Sequence, residues 1–158
     1  MVRQDQNKLG EETNSMKRLL ADPLQAARDR GMRHALDEWG KAENLPLKAA
    51  AEYAGRPDRA INDERQQGLL YALVLPGKEF GYRYPQWQFS AEPERMAAAL
   101  QPFIRAEASC WVIHSFLRSP HAELGGVSPS ERILDPTYPI ELVVRLAAER
   151  YRCDQGAG

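Results

Sequence analysis

Two sets of side chains in this 158-residue chain have types and spacings suited to chemistry. Cys110 and His114 stand four apart, so on a helix they share one face, and His121 follows soon after. Such a set could begin a metal site or a thiol–imidazole pair. A closed metal site needs further ligands and a nucleophile pair needs an orienting group, and neither is spaced to serve. The remaining cysteine and histidine, Cys153 and His34, stand far off in the chain. The expected roles are a buried thiol and core or capping histidines, with no metal, no cofactor and no enzymatic activity. There is no phosphate-cradling glycine loop and no working pair of carboxylates; Glu131 and Asp135 read as a solvated helix end. The second set is Lys78 and Arg83, whose charges suit phosphate contact.

The elements that must position these residues follow from periodicity and punctuation. Asp22 and Pro23 start a helix over about 23–40, with Leu24, Ala27, Gly31, Ala35 and Trp39 as its apolar stripe. Asn44-Leu45-Pro46 resets the chain. A short helix is expected over 47–54, then a left-handed turn at Gly55 and a second helix over about 58–67, ending at Gly68. Two short helices across a tight glycine turn have helix-turn-helix geometry, with small alanines and Ile61 between them. Leu69–Leu75 reads as a strand, Pro76–Glu79 as a turn and Phe80–Tyr84 as a second strand. This hairpin forms a wing, closed by 85–89 with Trp87 and Phe89 as core anchors.

The run LKAAAEYAGRPDRAINDERQQGLLYAL…GYRYP resembles the winged helix-turn-helix of the MerR and excisionase-like regulators over residues 45–89. That likeness implies that Arg56, Arg59, Asn62, Arg65 and Gln66 lie on the recognition-helix side. It also implies that Lys78 and Arg83 lie on the wing. Asp58, Asp63 and Glu64 are interleaved, so the helix itself is not basic.

Residues 92–117 read as helical, with Pro102 as a break or first-turn residue. Met96, Leu100, Phe103 and Ile104 mark one apolar side, and Ala108, Trp111, Val112, Ser115 and Phe116 the next. Gly125-Gly126 forces a turn. Ser128, Pro129 and Glu131 have the spacing of a capping box that opens a short helix ending at Ile133-Leu134. A last amphipathic helix is expected over 139–152, with Ile140, Val143, Val144, Ala147 and Tyr151 inward. Trp111, Leu117, Ser119-Pro120-His121, Leu124-Gly125-Gly126, Ser128-Pro129 and Ile133-Leu134 together resemble the toxin-binding domain of the MbcA/ParS/Xre family of antitoxins. His121 replaces the family's usual asparagine. The resemblance implies a partner, a RES-domain toxin acting on NAD and encoded by a neighbouring gene, whose active site the antitoxin occludes. It implies that Arg118, Ser119, His121, Leu124, Gly125, Gly126, Ser128 and Pro129 meet that toxin, and that the antitoxin also binds its own operator DNA.

Composition bounds these readings. Lys and Arg total 21 against 22 Asp and Glu, a net charge of −1, which excludes a uniformly basic nucleic-acid coat but not a local reader. Hydrophobic residues at 43% and charged residues at 27% are ordinary globular values. Two cysteines suit a reducing cytoplasm, and no apolar run is long enough to span a membrane. The expected fold is mostly α with one β-hairpin, a winged helix-turn-helix followed by a small helical bundle. The expected organisation is a flexible tail over 1–15, a DNA-binding domain over 16–91, a toxin-binding domain over 92–152 and a flexible tail over 153–158. A homodimer is expected, because a small reader gains affinity by pairing half-sites. The alternative function is a DNA-binding transcriptional regulator with a helical dimerisation or effector domain and no toxin.

Overall fold

The computed structural model describes residues 22–155, with side chains to residue 150. The expected tail over 1–15 lies outside them, as do residues 156–158. The chain divides into two compact units between Glu38 and Trp39. The first holds helix α1 (Pro23–Trp39) as far as Glu38, and the helix begins with Ala26 N–H bonded to the Asp22 carbonyl at 3.0 Å. Its expected stripe is not buried as a whole. Ala35 is buried, but Leu24 is 72% exposed and Ala27 and Gly31 are also exposed. Arg28, one turn after Leu24, interrupts that face with a guanidinium.

The second unit is mostly α with one small antiparallel β pair. It opens with β1 (Asn44–Pro46), α2 (Leu47–Ala54) and α3 (Asp58–Gln66). Gly55 takes the left-handed conformation, φ 69°, which only glycine adopts without strain. Its N–H and that of Arg56 then close on the Glu52 and Ala51 carbonyls at 3.3 and 3.0 Å. The two helices meet over Ala50, Ala51 and Ile61, all buried; the alanines allow close approach and Ile61 fills the gap. Asp58 lies in the first turn of α3 and Arg65 in its last, the arrangement the helix dipole favours.

The strand pairing departs from the expected hairpin. β2 (Arg83–Pro85) pairs with β1, Leu45 opposite Tyr84, while the Leu69–Leu75 run touches it only where Leu73 and Arg83 exchange bonds of 2.7 and 2.8 Å. The reason is that residues 70–73 are buried on both faces. Leu70 and Ala72 pack with the helix-turn-helix, Tyr71 and Leu73 with the following helices. A side-chain partner replaces a ladder: the Gln88 amide accepts from Tyr71 N–H at 3.0 Å and donates to Tyr71 C=O at 2.9 Å. Gln88 belongs to a 3-10 turn, Gln86–Ser90, that leads away from β2.

The bundle comprises α4 (Pro93–Arg105), α5 (Cys110–Arg118), α6 (Pro129–Leu134) and α7 (Ile140–Gln155). The helical stretch expected over 92–117 breaks after Arg105, and Pro102, expected as a break or first-turn residue, lies within α4. The chain turns through Glu107 at φ 52°, and Ser109 restarts it by accepting from Val112 N–H at 3.3 Å. Ile104, expected inward, is 48% exposed. The Ser128–Glu131 capping box forms as its spacing predicts. α7 extends past residue 152, so Cys153–Gln155 continue the helix in place of a tail. Phe103, Phe116, Leu117, Ile133, Val143 and Ala147 fill the core together with Tyr71 and Leu73. Residue 91 is therefore not a seam between two cores. Replacing Leu73 by Ala should lower the unfolding free energy by about 2–5 kcal/mol. Urea unfolding followed by tryptophan fluorescence and by circular dichroism should give one shared transition for wild type; separate transitions would contradict a core spanning residue 91.

Candidate functional site

α3 is bound to the return strand by its own cations. Arg65 stacks on Tyr82 with its guanidinium carbon 4.0 Å from the ring centroid, and its Nε donates to Tyr84 Oη at 3.1 Å. Tyr84 Oη in turn donates to Asn62 Oδ1 at 3.4 Å. Burial pushes the Tyr84 phenol above its ordinary range, so it stays a neutral donor. Arg56 pairs with Glu64 and lies 6.0 Å over the Phe89 ring, so that acidic residue of the helix is neutralised within the fold. Arg59 and Gln66 are exposed. Arg83 stacks on Trp39 at 4.3 Å and reaches the Asn44 carbonyl at 3.4 Å, and Lys78 is exposed on the loop. Of the seven sequence-nominated residues, Arg59, Gln66 and Lys78 thus face solvent, while Arg56, Asn62, Arg65 and Arg83 are partly committed to internal partners.

The second candidate is the loop between α5 and α6. His121 N–H bonds to the Val127 carbonyl at 3.1 Å, and the His121 carbonyl accepts from Leu124 and Gly126 at 3.0 Å each, which closes the loop on itself. Gly125 and Gly126 hold φ 79° and 81° and are exposed. Arg132 clamps the turn by donating from Nε and Nη2 to the Leu124 carbonyl at 3.0 and 2.7 Å, while stacking on Tyr138 at 4.3 Å. Arg95 supports the far end of α6 by donating to the Arg132, Ile133 and Asp135 carbonyls. Arg132 and Ile133 lie in the last turn of α6, where i+4 donors within the helix run out, and Asp135 is its C-cap. Arg118 is exposed, with Nη1 3.2 Å from Ser130 Oγ. Ser119 and His121 are half-buried, Ser119 donating to the Ser115 carbonyl at 2.6 Å. Leu124, Ser128 and Pro129 are buried and shape the turn without reaching the surface.

The Cys110–His114 set is spoken for structurally. His114 is buried with Nδ1 2.9 Å from Tyr71 Oη, which also accepts from Trp87 Nε1 at 3.1 Å. Burial raises the Cys110 pKa, so its sulfur is held as a thiol, near the Val74 carbonyl. Among the described residues no group of three or more His, Cys, Asp or Glu is placed to hold a metal ion, and no helix is long and apolar enough to cross a membrane.

Sequence reasoning passed over Arg132, Arg95, Tyr82, Tyr84 and Trp39 as positioning residues. Only the tyrosine alternation of Tyr82 and Tyr84 carried a local signal. No family model, no curated protein and no solved structure matches the chain.

The turn gives a differential prediction. Gly126→Ala adds a Cβ into open space and carries only the left-handed penalty, about 1–2 kcal/mol. Gly125→Ala carries that penalty and also sets a Cβ 2.8 Å from Arg132 Nη2, so the guanidinium tip must shift and its Nη2 bond to the Leu124 carbonyl weakens while the Nε bond stays. Weakening that bond adds about 0.5–1.5 kcal/mol. Urea titration of both variants should rank Gly125→Ala as the less stable; equal losses would show that the Nη2 bond does not stabilise the turn.

Proposed function

We propose that the chain is an antitoxin that binds its operator DNA through residues 44–85 and a RES-domain toxin through the turn around Gly125-Gly126. The observation carrying the DNA half is the order helix, strand, two helices across a glycine turn, bridged segment, loop and return strand, with Arg59, Gln66 and Lys78 left facing solvent. In this reading α3 is the recognition helix. Arg59 and Gln66 meet base edges or phosphate, Lys78 meets phosphate, and Arg65 and Arg83 are aligned by their aromatic partners. With three Arg against Asp58, Asp63 and Glu64 over 56–66, α3 supplies little net charge. Affinity then depends on two copies engaging paired half-sites, which is why a homodimer accompanies the proposal.

Support for the toxin half is the family resemblance together with a turn whose backbone is exposed at two glycines and clamped from behind. Such a surface permits close backbone approach by a partner. Arg118 at its edge offers the charge, and the mechanism is steric occlusion of the toxin's NAD pocket.

Two experiments test the halves separately. Co-expression with a RES-type product of a neighbouring gene should relieve its growth arrest, and Arg118→Glu should weaken that relief while leaving DNA binding intact. Persistence of arrest beside the wild-type chain would end the antitoxin reading and leave the regulator. On the region upstream of the reading frame, Arg59→Ala should weaken a gel shift at every salt concentration, and Lys78→Ala should lower the salt slope by about one. Unchanged shifts in both variants would remove α3 and the loop from the interface.

A further inference from the structure

Phe80 is 86% exposed, the most exposed of the large apolar side chains among the described residues. Its loop is neither buried nor loosely rooted. Residues 76–81 all face solvent, with Lys78 and Glu79 among them, so the loop carries no net charge. Beneath them, Trp39 Nε1 donates to the Gly81 carbonyl at 2.8 Å, Arg83 stacks on the same indole, and the Leu73–Arg83 bridge joins the two arms. Lys78 N–H closes the turn on the Leu75 carbonyl at 3.0 Å. Two residues beyond Phe80, Tyr82 lies against Arg65 of α3, so the return arm borders the helix assigned to the major groove. An apolar ring in water gains nothing where it stands. Placed against stacked bases it would be removed from water, with the neighbouring cation on phosphate.

We propose that Phe80 is an apolar wedge that inserts between adjacent base pairs of duplex DNA and bends it at the point where the loop enters the groove. This rests on the DNA half of the proposed function. A ring with no hydrogen-bonding atom reads stacking and deformability, so the wedge favours easily unstacked pyrimidine–purine steps over stiff A-tracts. It gives the chain a source of sequence preference beyond the base-edge contacts proposed for α3, whose Arg59 and Arg65 are outnumbered by Asp58, Asp63 and Glu64. A protein partner is the other occupant such a ring could take. The contact of the same arm with Arg65 of α3 sets the ring beside the proposed recognition helix and favours DNA.

The test uses the full-length chain and a duplex of the upstream region, with donor and acceptor dyes at its ends. Wild type should bind in a salt-dependent manner and bring the dyes closer. Phe80→Ala should keep the wild-type melting temperature and salt slope, bind about tenfold more weakly and leave the duplex straight. Phe80→Leu should restore much of the bend. If wild type does not bind the duplex at all, the DNA half of the proposed function fails and the wedge with it. If wild type binds and Phe80→Ala binds and bends equally well, only the wedge fails. In that second case, a simultaneous loss of relief from growth arrest in Phe80→Ala assigns the ring to the toxin and overturns the wedge as well.

Discussion

Everything from Trp39 onward depends on four consecutive residues being buried on both faces. Leu70 and Ala72 point one way and Tyr71 and Leu73 the other, the two-residue period of extended backbone. Extended backbone needs hydrogen-bond partners in a buried setting. They come from the Gln88 amide, which serves both polar groups of Tyr71, and from the single exchange between Leu73 and Arg83. The helix-turn-helix and the bundle therefore rest on opposite sides of one strip of chain.

Polar side chains fix what the apolar ones bring together. Tyr71 Oη gathers Trp87 and His114, so the bundle face of the strip ends in a closed polar knot. Arg65, Arg83 and Arg132 each lie on an aromatic ring and each also reach an oxygen. A guanidinium held in this way loses little of its charge and much of its freedom, so less ordering remains when a partner binds. The two candidate surfaces are built on the same device, an arginine locked by an aromatic from a neighbouring element.

Much of this was legible in the residues because it is local. Gly55 between two short amphipathic runs, and Ser128-Pro129 with Glu131, specify their turn and cap within a few positions. The reading faltered where partners are distant or signals short. β1 is three residues long and exists through pairing with Arg83–Pro85, so no periodicity announces it. The break before Ser109 carries neither glycine nor proline, while Pro102 advertises one that its place within α4 does not produce. Leu69–Leu75 reads as strand, but a continuous apolar run does not say that its two faces belong to different cores. The resemblance put Arg59 and Gln66 on the recognition-helix side together with Arg56, Asn62 and Arg65, and only the first two are exposed. It could not show that Leu124, Ser128 and Pro129 face inward, since that depends on how the loop closes on Val127.

The shared strip also limits how such a chain can diversify. A crossover between the helix-turn-helix and the bundle would join one lineage's Tyr71 and Leu73 to another lineage's Phe103, Phe116 and Val143. Such hybrids begin with a mismatched interior. Change is more readily accommodated at exposed positions such as Arg59, Phe80 and Arg118, with the interior inherited whole.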